Sequence, residues 1–128
     1  MKPTLKSILC EINELPCFSG IKLDNPNIKN GFGESALDTA VVMGRKDYVL
    51  VLLEAGANIN QRCEHGNTAL HEAIEQDQCE IAEILLQNGA DILIKNDDGH
   101  SAIAFLEIIG SKQMKEVFFK SMGVAQLK

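Results

Sequence analysis

The sequence predicts an all-α solenoid in which antiparallel helix pairs stack side by side, joined by β-turns that project as finger loops. Three observations predict it. Glycine recurs every 33 residues at Gly33, Gly66 and Gly99, and Gly56 and Gly89 keep the same interval near the segment ends. Each opening glycine is followed by two blocks of apolar residues at helical spacing. Turn residues stand between the blocks at matching places. A fixed period of this length marks stacked repeats, not a globular fold built around one central site.

The segment from Gly66 shows the unit most clearly. Thr68 is the expected N-cap, a hydroxyl placed to satisfy an amide of the first turn that has no intrahelical partner. Leu70, Ala73 and Ile74 then fall on one helical face, and Asp77 breaks the helix. A second helix begins near Gln78, with Ile81, Ile84, Leu85 and Leu86 as its apolar stripe, and Gly89 ends it in a left-handed conformation. The stretch Ala90–Gly99, closing on Asp97-Asp98-Gly99, is turn chemistry that leads to the next pair. The preceding segment repeats the plan, with Ser35 before the first helix, a break at Gly44 and a second helix from Tyr48 to Ala55. The following one has Ser101, a break at Gly110, and a second helix through Met114, Val117, Phe118 and Phe119 that reaches Met122.

These residues resemble the ankyrin repeat. The resemblance rests on Gly-Asn-Thr-Ala-Leu-His-Glu-Ala (66–73), Leu-Leu-Glu-Ala-Gly-Ala-Asn-Ile-Asn (52–60) and Leu-Leu-Gln-Asn-Gly-Ala-Asp-Ile (85–92). It covers roughly residues 30–128 and divides the chain into repeats at 30–62, 63–95 and 96–128, the last a C-terminal cap. Ala36, Ala69 and Ala102 stand where that family carries proline, and Asp38 and Ala104 where it carries histidine. The histidine replacements imply weaker ties between neighbouring loops, most of all in the last repeat. Residues 1–29 match least. Leu5, Ile8, Leu9 and Ile12 space one amphipathic helix, whereas Pro16, Gly20 and Pro26 crowd the place of a second. Asp24-Asn25-Pro26-Asn27 nevertheless sits one period before Ala57-Asn58-Ile59-Asn60, so 1–29 is expected to be a degenerate repeat capping the stack.

Composition narrows the function classes. At 128 residues the repeats leave no room for a catalytic module. No apolar run approaches the roughly 20 residues that span a bilayer, and Glu11 interrupts the apolar stretch a signal peptide needs. A cytoplasmic protein, monomeric when free and without membrane partners, is the expectation. Cys10, Cys17, Cys63 and Cys79 are irregularly spaced, which favours free thiols. The net charge is -6, and between Glu64 and Asp98 nine acids face one base, Lys95. Nucleic acid is thereby excluded as a ligand, since phosphate neutralisation needs Lys and Arg; a basic protein fits.

No cofactor or metal is expected. Cys63, His65, His71 and Cys79 are zinc-type ligands, but their spacing is not that of a paired zinc motif. Ser35, Thr68 and Ser101 recur as caps and so are not nucleophiles. The expected function is non-enzymatic protein binding through a concave face and the loop tips, as the resemblance implies. The alternatives are an inhibitor or immunity protein that occludes a basic toxin or enzyme, an adaptor in a signalling complex, and, from a different class, a small metal-dependent enzyme. Carried over by position, the loop tips supply Phe32, Glu34, Arg62, Glu64, His65, Asn67, Lys95, Asp97, Asp98 and His100. The ends of the inner helices supply Val42, Met43, Glu75, Gln76, Ile108 and Ile109. Phe32 and Met43 are the expected anchor pair, while Ile108 and Ile109 fit either a hot spot or a seal on the C-terminal end.

Overall fold

The computed structural model describes Ile8 and residues 35–121. Six α-helices and a short 3-10 turn (Glu64–Gly66) lie between residues 35 and 121, with no strand there beyond isolated bridge residues, among them Lys95 and Ser101, which bridge antiparallel to each other. In chain order the helices are α1 (Ala36–Met43), α2 (Lys46–Glu54), α3 (Ala69–Glu75), α4 (Cys79–Gln87), α5 (Ala102–Ile109) and α6 (Lys112–Ser121). Helix α1 packs on α2 and α3 on α4, while α5 and α6 pack chiefly on the preceding pair. The inner helices α1, α3 and α5 pack in one row, and the outer helices α2, α4 and α6 in a second. No helix among the described residues is long and apolar enough to cross a membrane.

Three of the helices begin where a capping serine stands. Ser35 Oγ accepts from the amide of Asp38 at 3.1 Å, and Ser101 Oγ accepts from Ala104 at 3.2 Å. Ser111 does the same for α6, accepting from Met114 at 3.0 Å. The break between α3 and α4 is sharper than a loop. Asp77 has φ 54, the conformation that Gly44 (φ 72) holds at the equivalent place one period earlier. Asp tolerates this region better than most side chains do, and its carboxylate is engaged there: Ser111 Oγ donates to Asp77 Oδ1 at 2.7 Å across the repeat boundary.

Stacking buries a continuous core. Leu37, Leu70 and Leu106 of the inner row and Leu52, Leu85 and Phe118 of the outer row are all nearly inaccessible. Ala40 and Ala73, both wholly buried on the inner row, let neighbouring inner helices approach closely. Each pair alone would leave an apolar side wet, so stability arises between pairs. Ile8 is helical and fully buried in this same core, while the rest of the predicted helix around Leu5, Leu9 and Ile12, and the capping role assigned to 1–29, lie outside the described residues. Met122, the predicted end of the last helix, lies outside them too; α6 is described as far as Ser121. One inner row changes character along the stack: Val41 and Ile74 are buried, but Glu107 takes the same position on α5 and is exposed. A carboxylate is tolerated there because no further described helix packs over it.

Candidate binding surface

The finger loops are built alike. In one, the amide of Cys63 bonds the carbonyl of Asn67 at 2.7 Å and Gly66 bonds Cys63 at 2.8 Å; in the next, Asn96 bonds His100 at 2.9 Å and Gly99 bonds Asn96 at 3.0 Å. Both turns need left-handed backbone near their tips. Gly66 (φ 72) is doubly constrained, because a Cβ there would stand 2.5 Å from both Arg62 Nη2 and Asp97 Oδ1 and 2.8 Å from the amide of Asp97.

The two loops are locked together by long-range bonds. Arg62 Nη2 donates to Asp97 Oδ1 at 2.9 Å, and Arg62 Nε donates to the Gly66 carbonyl at 3.2 Å. The amide of Asp97 donates to the His65 carbonyl at 3.0 Å. Asn96 Nδ2 donates to Asn67 Oδ1 at 3.0 Å, and its own Oδ1 accepts from the amides of Asp98 and His100, each at 3.0 Å.

Beneath the loops lies His71, fully buried at the start of α3. Its Nδ1 accepts from the amide of Thr68 at 3.1 Å and lies 2.9 Å from the Thr68 hydroxyl, while Nε2 lies 2.9 Å from the carbonyl of His100. A carbonyl only accepts, so the proton sits on Nε2 and the ring is neutral. Burial, the largest cause, holds its pKa below the ordinary histidine value. The Phe105 ring closes the other side, 5.6 Å away between centroids.

Most proposed contact residues face solvent. Arg62, His65, Lys95, Asp97 and Asp98 are exposed, and His100 is half-buried. At the ends of the inner helices, Val42 (43%), Met43 (40%), Ile108 (58%) and Ile109 (46%) are exposed apolar side chains, with Glu75 and Gln76 exposed between them. Asn67 is the correction. It is buried, and its amide bridges Glu72 Oε1 at 3.3 Å and Asn96, so it builds the loop and presents no side chain to a partner. Phe32, Glu34 and the side chain of Glu64 fall outside the described residues, and with Phe32 goes the expected Phe32–Met43 anchor pair. Two exposed apolar residues escaped the sequence reading, Leu93 (68%) and Leu50 (40%). For Leu93 a signal existed: Ile92-Leu93-Ile94 is an apolar run inside a turn, where all three cannot point inward.

The metal-type residues do not converge. Among the described residues no three His, Cys, Asp or Glu side chains could hold an ion together. Cys63 Sγ contacts Ser35 Oγ at 3.6 Å, and Cys79 lies at the opposite edge of the stack. There an open groove of about 350 Å³ runs along the helix–helix turns, past Gly44, Lys46, Asp77 and Glu80. Burial first, and then the Asp77 charge, push the Cys79 thiol up, so it stays protonated at neutral pH and is a poor nucleophile. Lys46 and Glu80 pair across this edge at 2.7 Å; each charge shifts the other's pKa towards the ionised form, chiefly through their hydrogen bond.

Comparison with known proteins agrees with this geometry. A family model describing ankyrin repeats in three copies matches residues 3–96. The chain is also 46% identical over 50 residues to potassium channel AKT2/3 of Arabidopsis thaliana; the match takes in 39% of this chain and 6% of the channel's length. Helices α5 and α6 lie beyond the matched residues, yet they continue both rows of the stack. The chain belongs to the ankyrin-repeat family, whose repeats are in general protein–protein interaction modules.

Proposed function

We propose that this chain binds another protein through the surface made by its finger loops and the ends of its inner helices, without acting on that partner chemically. The observation that carries this reading is the exposure of Val42, Met43, Ile108 and Ile109 at repeat-equivalent positions of α1 and α5. Exposed large apolar side chains that recur at matching positions along one row of helices, with the polar Glu75 and Gln76 between them, suit an interaction surface. The test is affinity capture with the wild-type chain and with the double variant Met43→Glu, Ile109→Glu. Both positions are exposed, so the variant should keep its thermal midpoint within about 2 °C, a shift on the scale of a surface substitution. It should lose the proteins that the wild type retains. Undiminished capture by the variant would refute the reading.

A narrower version, occlusion of a basic protein such as a toxin or enzyme, draws support from the carboxylates of Glu75 and Asp98. Both are exposed, and neither pairs with a cation among the described residues. Asp97 contributes less, being paired with Arg62. This version predicts association that slows steeply with added salt and weakens on Asp98→Lys. A salt-independent on-rate would exclude it.

A further inference from the structure

The exposed ends of the three inner helices form a pattern with a defined spacing. Val42, Glu75 and Ile108 stand 33 residues apart at one register position, and Met43, Gln76 and Ile109 at the next. Because α1, α3 and α5 pack in a row, the order along the face is apolar, acidic or polar, apolar. Packed helices lie about 8–10 Å apart, so the two apolar patches are separated by roughly 16–20 Å with a carboxylate midway.

We infer that this face takes an extended segment of a partner protein carrying an apolar, a cationic and a second apolar side chain at successive steps of about 9 Å. The inference rests on the reading of this face as a protein-binding surface. Charge complementarity selects the central cation: Glu75 is exposed, and it makes no ion pair among the described residues that would neutralise it. The spacing selects the backbone. In the left-handed extended helix, residues i, i+3 and i+6 share one face and advance about 9.3 Å per step, within the interhelix distance. Seven residues of α-helix, the nearest number that returns to one face, advance about 10.5 Å and overshoot it. In a flat β-strand the sides alternate, so the residue at i+3, about 10 Å along, points to the opposite side.

The experiment uses three labelled nine-residue peptides rich in proline, with leucine at the second and eighth positions and arginine, glutamine or glutamate at the fifth. Binding is read by fluorescence anisotropy against the full chain and against Glu75→Lys and Ile108→Ser, each first checked for an unchanged thermal midpoint. The wild type should prefer arginine over glutamate by about tenfold, a modest value for an interfacial charge contact. Glu75→Lys should reverse that order, and Ile108→Ser should weaken all three peptides together, by about fivefold. A preference unmoved by Glu75→Lys overturns the inference, as does the absence of measurable binding. If all three peptides bind alike and Ile108→Ser still weakens them together, the charge register fails while the binding face stands. If Ile108→Ser changes nothing, both fail.

Discussion

His71 Nε2 donates to the carbonyl of His100 at 2.9 Å, across 29 residues of sequence. The same carbonyl accepts from the amide of Asn96 to close its own finger loop. One oxygen therefore couples the inner helix of one repeat to the turn that opens the next. On its other side the ring accepts from the Thr68 amide, so a single neutral imidazole satisfies groups in two repeats.

Replacing His71 by alanine should cost about 2–4 kcal/mol, because it leaves the Thr68 amide without its acceptor and opens a cavity. Chemical denaturation monitored by circular dichroism measures this. A cost below about 0.5 kcal/mol, the level of an ordinary surface change, would refute the coupling.

The same ring sets a pH dependence. Its folded-state pKa is depressed by burial, so the unfolded chain takes up a proton before the folded chain does. The contribution is thus complete above about pH 6.5, the ordinary histidine value, and declines as pH falls below it. Thermal midpoints from pH 7.5 to 5 should fall for the wild type and less steeply for His71→Asn. Parallel curves would show that His71 is not the titrating group.

Two glycines with similar backbone separate conformation from crowding. A Cβ at Gly89 (φ 88) would meet nothing within 4 Å, whereas one at Gly66 would meet Arg62 and Asp97. Gly89→Ala should cost about 1–2 kcal/mol from conformation alone. Gly66→Ala adds loss of the Arg62–Asp97 contact and should cost at least about 1 kcal/mol more. Chemical denaturation of the two variants side by side measures the difference. Equal costs would mean that the loop yields without strain.

Leu70 is 1% exposed at the centre of the inner row. Leu70→Ala should destabilise the whole stack by about 2–5 kcal/mol, and a single cooperative unfolding transition should persist. Separate transitions for the two ends would show that the repeats fold independently.

How much of this was legible beforehand follows from the range of each interaction. The period, the paired helices, the caps at Ser35 and Ser101 and the break at Asp77 were all readable, because each is a contact or a backbone preference spanning a few residues. The surface was less so. Asn67 reads as a loop-tip polar residue until Asn96, 29 residues on in the next finger loop, donates to it and the pair is buried. Asp97 reads as a free acid until the chain returns it to Arg62. Leu93 counts as one more apolar residue until Ile92 and Ile94 take the sheltered positions beside it. What the amino-acid order determined by itself is therefore the repeated unit and its punctuation, which depend on local hydrogen bonds and φ preferences. Stacking alone decided which side chains remain available to a partner, since the groups that bury or neutralise them come from the neighbouring repeat.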